Sequence, residues 1–221
     1  MNAEADADGH GLRTAWLTGL LCVPLCLPDD QSQAIVQAAY THDIGKQFVD
    51  EMILAKPRAL ARDERDRMEQ HAALGAWLLM NQGHGDPDAK SVDVAVALSH
   101  HEWWNGLGYP FGLAGRAIPQ CARIVAVADV FDALVSVRPY KPAWSQANAL
   151  DYIERGRGKQ FDPECVDALI QVASTLPVAW QEMAQAMGAD SFYDMPPRRR
   201  AGGRVHRESR STLSWTGAAR A

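Results

Sequence analysis

The sequence predicts an all-α protein: a single helical bundle that carries a glycine-rich loop and is followed by a basic tail. Three observations lead there. Apolar residues recur at helical spacing almost throughout the chain, and no segment shows the sustained two-residue alternation, bounded by hairpin signals, that a half-buried strand requires. A length of 221 residues with 47% apolar residues suffices for one well-buried domain and is short for two. The net charge of −5 is unevenly spread, because Pro196 to Ala221 hold seven Arg against the single acid Glu208 and so leave −11 on the body. An acidic body argues against a broad basic surface for nucleic-acid polymers, yet admits an anionic substrate where bound metal ions supply positive charge.

Residues 1–8 are expected to form a disordered start, 9–190 the folded domain and 191–221 a disordered basic tail. A first helix fits Gly11 to Leu27, weakened near its end by Pro24, which lacks a backbone N–H. A second runs from the capping residue Ser32 through Ala34, Ile35, Ala38 and Ala39 to about Ile44, where Gly45 ends it. Between Asp63 and Asn81 the residues Met68, Ala72, Gly75 and Leu79 repeat at helical spacing, with acids at the start. A loop at 81–86 precedes a helix from about Asp88 to Glu102. The stretch Asn105 to Gly115, with four Gly and Pro110 in eleven residues, excludes a regular element and reads as an ordered loop. After Pro119 a strongly apolar helix runs to about Val137. Further helices fit Ser145–Arg155, Pro163–Thr175 and Pro177–Met187, and beyond Asp194 the Pro-, Gly- and Arg-rich composition cannot build a core.

The four Cys form no disulfide framework for a chain of this size. Cys22 and Cys26, four apart, and Cys121 and Cys165 in apolar segments read as small buried thiols. No apolar run is long enough to cross a bilayer. The stretch Trp16 to Leu27 is preceded by Glu4, Asp6 and Asp8 where a signal peptide carries basic residues, and Pro24 interrupts it. A cytoplasmic protein with no membrane association is expected.

The chemistry gathers on histidine. Apart from His84 in a loop and His206 in the tail, His10, His42, His71, His100 and His101 all fall on or at the edge of predicted helices, and Asp43 and Glu102 adjoin two of them. Asp129 lies inside the apolar run Ile124–Leu134, where an ionised carboxylate is costly unless paired or bound to metal. No Lys or Arg lies within a helical turn of it, and Asp132 shares its face. A single buried His is ordinarily a core residue. Five of them with an unpartnered buried Asp point instead to a borderline divalent metal, whose ligands neighbouring helices of a bundle can bring together. Asp43, next to a ligand candidate, suits the role of a carboxylate bridging two ions.

These residues fall into separated motifs in a fixed order: His42-Asp-Ile-Gly-Lys46, His71, His100-His-Glu-Trp-Trp-Asn-Gly-Leu-Gly-Tyr-Pro110, Asp129-Val-Phe-Asp-Ala-Leu134, Arg138-Pro-Tyr-Lys141 and Gln160-Phe-Asp-Pro163. The set resembles the HD-GYP family, a branch of the HD superfamily of metal-dependent phosphohydrolases, over about Gly9 to Val172. The resemblance implies an HD-domain-like bundle hydrolysing cyclic di-GMP to linear pGpG or on to GMP. It implies His10, His42, Asp43 and Asp129 as ligands of one metal, with Asp43 bridging to a second held by His71, His100 and His101. Two divalent ions, iron or manganese, are expected, about 3.5–4 Å apart and sharing a bridging hydroxide. Some members hold a third metal on a Glu one turn before the first His; Asp6 stands there, shorter by a methylene, and two ions remain the expectation. Lys46 resembles the catalytic-site lysine, and Asp43 and Asp132 join it as catalytic candidates. Tyr109, Arg138 and Lys141 resemble substrate-contacting positions. Two other readings stay open: an HD phosphohydrolase acting on another cyclic dinucleotide or nucleotide, and a non-catalytic module binding cyclic di-GMP or a diguanylate-cyclase (GGDEF) domain. Oligomeric state, and whether a sensory domain precedes the motifs, stay open too.

Overall fold

The computed structural model describes residues 9–81, 87–137 and 142–176. The described residues form eight α-helices, α1 (His10–Cys22), α2 (Asp29–Thr41), α3 (Glu51–Leu54), α4 (Arg62–Asn81), α5 (Pro87–Ser99), α6 (Gln120–Val135), α7 (Gln146–Arg155) and α8 (Pro163–Val172). Short 3₁₀ turns cover Ile44–Phe48, Gly115–Ala117 and Ala173–Thr175, and the described residues contain no β-strand. The all-α expectation therefore holds. No described helix is long and apolar enough to cross a membrane.

The apolar helix α6 is the axis of the fold. It packs against α1, α5, α7 and α8, and Ile124, Val125, Val127, Ala128 and Phe131 are fully buried along it. A fully buried Ile or Phe contributes roughly 1.5–3 kcal/mol, which holds the helix in the interior and carries Asp129 and Asp132 in with it. On one side, α1 supplies Leu17 and Leu21 and packs on α2. On the other, α7 and α8 supply Ile153, Val166 and Leu169. Both of these helices are capped by side chains: Ser145 accepts from the Asn148 N–H and Asp162 from the Glu164 N–H, with Pro163 in the first turn of α8.

Several boundaries differ from the sequence reading. The first helix stops at Cys22, because the chain turns through 23–26 around Pro24 and Cys26 adopts a positive φ of 55°. Cys22 and Cys26 thus share no helix face; Cys22 is buried and Cys26 exposed, and all four cysteines are free. The second helix begins earlier, on Asp29 and Asp30, whose charges suit its N-terminus, and ends at Thr41, so that His42 and Asp43 stand in the turn before the 3₁₀ segment. α3 was not foreseen; Asp50 caps it by accepting from the Met52 N–H, and Ile53 is buried. α5 ends at Ser99, three residues short of Glu102, and α6 ends at Val135, where the Ser136 hydroxyl turns back to Asp132. α8 passes into a 3₁₀ turn at Ala173. The expected helix Pro177–Met187, the basic tail, the disordered start, His84, Arg138 and Lys141 lie outside the described residues.

The glycine-rich loop is anchored at its start. Trp104 and Asn105 donate backbone N–H groups to the Gln160 and Lys159 carbonyls at 3.0 and 2.8 Å. Arg123 pairs with Asp162 and lies over the Trp104 ring. The motif Gln160–Pro163 is thereby the anchor of the loop rather than part of the histidine cluster.

Candidate metal centre

Five separate elements deliver the ligand candidates to one point. His10 opens α1, His42 and Asp43 occupy the turn after α2, His71 stands midway along α4, His100 and His101 follow α5, and Asp129 lies on α6. The turn carrying His42 and Asp43 reaches α4 because two glycines meet there: a Cβ on Gly45 would overlap the His71 carbonyl and the Gly75 backbone. Only glycine lets the backbones approach this closely.

Asp43 is the centre of the cluster. Its Oδ1 lies 3.3 Å from His71 Nε2 and 3.7 Å from His100 Nε2. Its Oδ2 lies 3.4 Å from His42 Nε2 and 3.9 Å from His10 Nε2. Asp129 Oδ1 completes the second side, 3.2 Å from His10 Nε2 and 3.7 Å from His42 Nε2. His101 Nε2 closes the first side, 3.2 Å from His71 Nε2. Two groups of potential ligands result, Asp43 with His71, His100 and His101, and Asp43 with His10 and His42.

The ring orientations are set from behind. His42 Nδ1 donates to the Ala39 carbonyl at 2.7 Å, His71 Nδ1 to Met68 at 2.6 Å and His100 Nδ1 to Val96 at 2.9 Å. His10 Nδ1 bonds Asp132 Oδ2 at 2.7 Å. A proton held on Nδ1 leaves the Nε2 lone pair facing the shared point, the form in which imidazole binds a metal. His42 Nε2, His100 Nε2 and Asp43 Oδ1 are buried and make no hydrogen bond. Ligand atoms ~2.0–2.2 Å from one ion stand ~3.0–3.5 Å from one another, which is close to the spacings seen here. The donor set, neutral nitrogen with carboxylate oxygen, fits divalent first-row metals.

The electrostatics agree. Burial alone drives the Asp43 carboxyl up, but Lys46 and His42 hold it well below the usual carboxylate range. Against the same burial, the neighbouring His10 and His42 hold Asp129 well below the usual carboxylate range. Burial works to lower His42 and His10, yet Asp43 and Asp129 raise His42 to about 10, and Asp129 and Asp132 raise His10 to about 9. On the other side burial lowers His100, and burial together with His100 pushes His101 well below its ordinary value, which favours the neutral form of both rings. Buried charges of both signs meeting at one point are an arrangement in which a divalent cation could take the place of protons.

Around the cluster, Lys46 Nζ pairs with Asp43 Oδ2 from a partly exposed position at the rim. The Tyr109 ring stacks on His101, with centroids 4.7 Å apart and planes at 28°. Asp132 is fully buried, and its oxygens accept from His10 Nδ1, from Arg13 Nε at 2.6 Å and from Ser136 Oγ at 3.1 Å, so it holds the His10 ring from the side opposite Nε2. Two contributors escaped the sequence reading. Arg13, one turn after His10, is only 3% exposed, and a buried Arg on a helix signals that an acid must meet it. Glu102 was seen only as a neighbour of His101, and it is buried as well.

A family profile described as HD domain matches residues 5–165. The chain is 45% identical to the cyclic di-GMP phosphodiesterase response regulator RpfG of Xanthomonas campestris, over 72% of this chain and 41% of that protein. It is 34% identical to 3'3'-cGAMP-specific phosphodiesterase 2 of Vibrio cholerae, over 75% of this chain and 31% of that one. It spans less than half the length of these curated relatives. Among solved structures, Bd1817, an HDG"Y"P protein from Bdellovibrio bacteriovorus, shares the fold with a TM-score of 0.62 at 19% identity, over 79% of this chain and 54% of the other.

Proposed function

The chain belongs to the HD-domain family, and from that premise we propose that it is a metal-dependent phosphodiesterase hydrolysing cyclic di-GMP to pGpG or on to GMP. The observation that carries the proposal is the two-sided carboxylate of Asp43, one oxygen toward His71 and His100, the other toward His42 and His10. Such a carboxylate is what a dinuclear site needs, with His10, His42 and Asp129 on one ion and His71, His100 and His101 on the other. When bound, a pair of divalent ions supplies the Lewis acidity that neutralises phosphoryl oxygens and activates water near neutral pH.

The chain's own residues do the rest. Lys46, at the rim and partly exposed, is placed to meet a phosphate oxygen or the departing 3′ oxygen, and its pairing with Asp43 keeps the ammonium at that edge. Tyr109, whose ring stacks on His101, is proposed to offer its hydroxyl to a substrate phosphate. Asp132 and Arg13 keep His10 in one tautomer and one orientation. Arg138 and Lys141 are proposed to clamp the substrate's phosphates, Arg138 in a bidentate manner and Lys141 as a point charge. Iron and manganese both suit the donors.

Purified protein loaded anaerobically with Fe²⁺ or Mn²⁺ should convert cyclic di-GMP to linear product. A protein holding both ions that never turns it over refutes the proposal. The likeness to a relative named as cGAMP-specific supports a second reading, in which 3'3'-cGAMP is the substrate. Side-by-side kcat/KM values on the two dinucleotides separate the readings. Binding of cyclic di-GMP without hydrolysis by fully loaded protein would favour a regulatory module docking on a GGDEF protein, although such a module has no need for all seven ligands.

A further inference from the structure

We propose that Glu102 is a positioning residue that fastens the glycine-rich loop onto the metal-binding turn and, through Tyr109, holds the His101 ring in place. Four of the five clustered histidines have a tether on Nδ1: a backbone carbonyl for His42, His71 and His100, and Asp132 for His10. Among the described residues His101 has no such tether. What lies against it is the Tyr109 ring, nearly parallel at 4.7 Å. The orientation of this ligand therefore depends on where the loop puts Tyr109.

Glu102 determines that. It is 3% exposed and stands immediately after His101. One carboxylate oxygen accepts from the Phe111 N–H at 2.8 Å, and the other from the Leu113 N–H at 3.0 Å. The loop is thus drawn back across the turn that carries His101. Two further contacts bring it flush: the Tyr109 N–H donates to the His101 carbonyl at 3.2 Å, and a Cβ on Gly108 would overlap the backbone of His101, Glu102 and Trp103. A buried carboxylate is costly unless both oxygens are satisfied. Here two amides of one loop satisfy both, so the loop and the turn move as one piece. A carboxamide in this place accepts from one amide and sets its NH₂ against the other.

The inference rests on the dinuclear centre of the proposed function and not on its substrate. If a protein holding two ions fails to hydrolyse cyclic di-GMP, the substrate reading falls while this inference stands. The test uses the Mn²⁺-loaded full chain, challenged with graded chelator and assayed for metal retained per chain. Glu102→Gln should release one of its two ions at a chelator concentration at least tenfold lower than the wild type, the scale typical for groups that orient ligands from behind. In a His10→Ala background the same substitution should still weaken retention about tenfold, and in a His71→Ala background by less than twofold. Electron paramagnetic resonance should change from a coupled pair of Mn²⁺ ions to an isolated one. Tyr109→Ala should reproduce the loss, whereas Tyr109→Phe, which keeps the ring, should not; these two variants decide the matter if Glu102→Gln does not fold. Wild-type retention in Glu102→Gln and Tyr109→Ala overturns the proposal. Equal weakening of both ions, with a lowered unfolding midpoint, also overturns it by showing a merely structural role.

Discussion

Replacing Asp132 by Asn tests the support behind His10 without changing shape. The wild-type carboxylate takes Arg13 Nε at 2.6 Å and Ser136 Oγ at 3.1 Å on one oxygen, and His10 Nδ1 at 2.7 Å and Arg13 Nη2 at 3.1 Å on the other. Asparagine keeps one acceptor and presents its NH₂ to a donor. It also removes the negative charge that faces a guanidinium only 3% exposed. Breaking a buried pair in this way costs about 3–5 kcal/mol, a large part of the roughly 5–15 kcal/mol that holds a domain together. Urea unfolding followed by circular dichroism should show that loss for Asp132→Asn. Pairing it with Arg13→Met should cost at least about 1 kcal/mol less than the two single losses added, because the second change removes the stranded charge. Metal retention at the His10 side should fall about 10- to 100-fold. An Asp132→Asn protein within about 1 kcal/mol of the wild type, with both ions held as tightly, would refute the reasoning.

Asp43→Ala should lose both ions and all turnover, since each group of ligands includes this residue; metal analysis showing one ion kept at wild-type affinity would deny the bridging role. Lys46→Ala should lower kcat about 100-fold, the scale of removing one preorganised charge stabiliser, with two ions still bound, and loss of metal instead would show that Lys46 acts on the centre itself. Burial raises the Asp93 carboxyl on α5 to about 6. A folded-state value above the unfolded one means that the folded protein binds the extra proton between pH 4 and 6, so stability falls as pH rises through that window. Asp93→Asn should therefore stabilise at pH 7.5, by about 1 kcal/mol once solvent screening of a half-buried group is allowed for, and the gain should vanish at pH 4. Equal gains at both pH values would show that charge is not the cause.

Periodicity located α1, α2, α4, α5, α6, α7 and α8, because each buries a stripe that recurs at helical spacing and is stopped by Pro, Gly or a cap. It missed α3, a single turn too short to show a period and defined by the Asp50 cap. Helix ends were displaced where a tertiary contact intervened, as at Thr41, after which the Gly45–Gly75 approach pulls the chain onto α4. The ligand candidates were legible for a related reason. Histidines beside acids, and Asp129 in an apolar helix with no local cation, are anomalies that burial makes expensive.

What residue order alone determined is the set of longer helices and the donor chemistry: five imidazoles and carboxylates on elements that can lie side by side. What the tertiary structure decided is which atom faces which. Asp43 presents its two oxygens to opposite groups only because α4 and α5 bring His71 and His100 to one side of its turn and α1 brings His10 to the other. Asp132 turned out to serve His10 and Arg13 from 122 and 119 residues away, and Glu102 to hold amides of the loop. Local spacing governs which residues share a helix face, but a side chain's hydrogen-bond partner depends on how faces distant in sequence are packed. That packing is set by the whole core, and no stretch of sequence contains it.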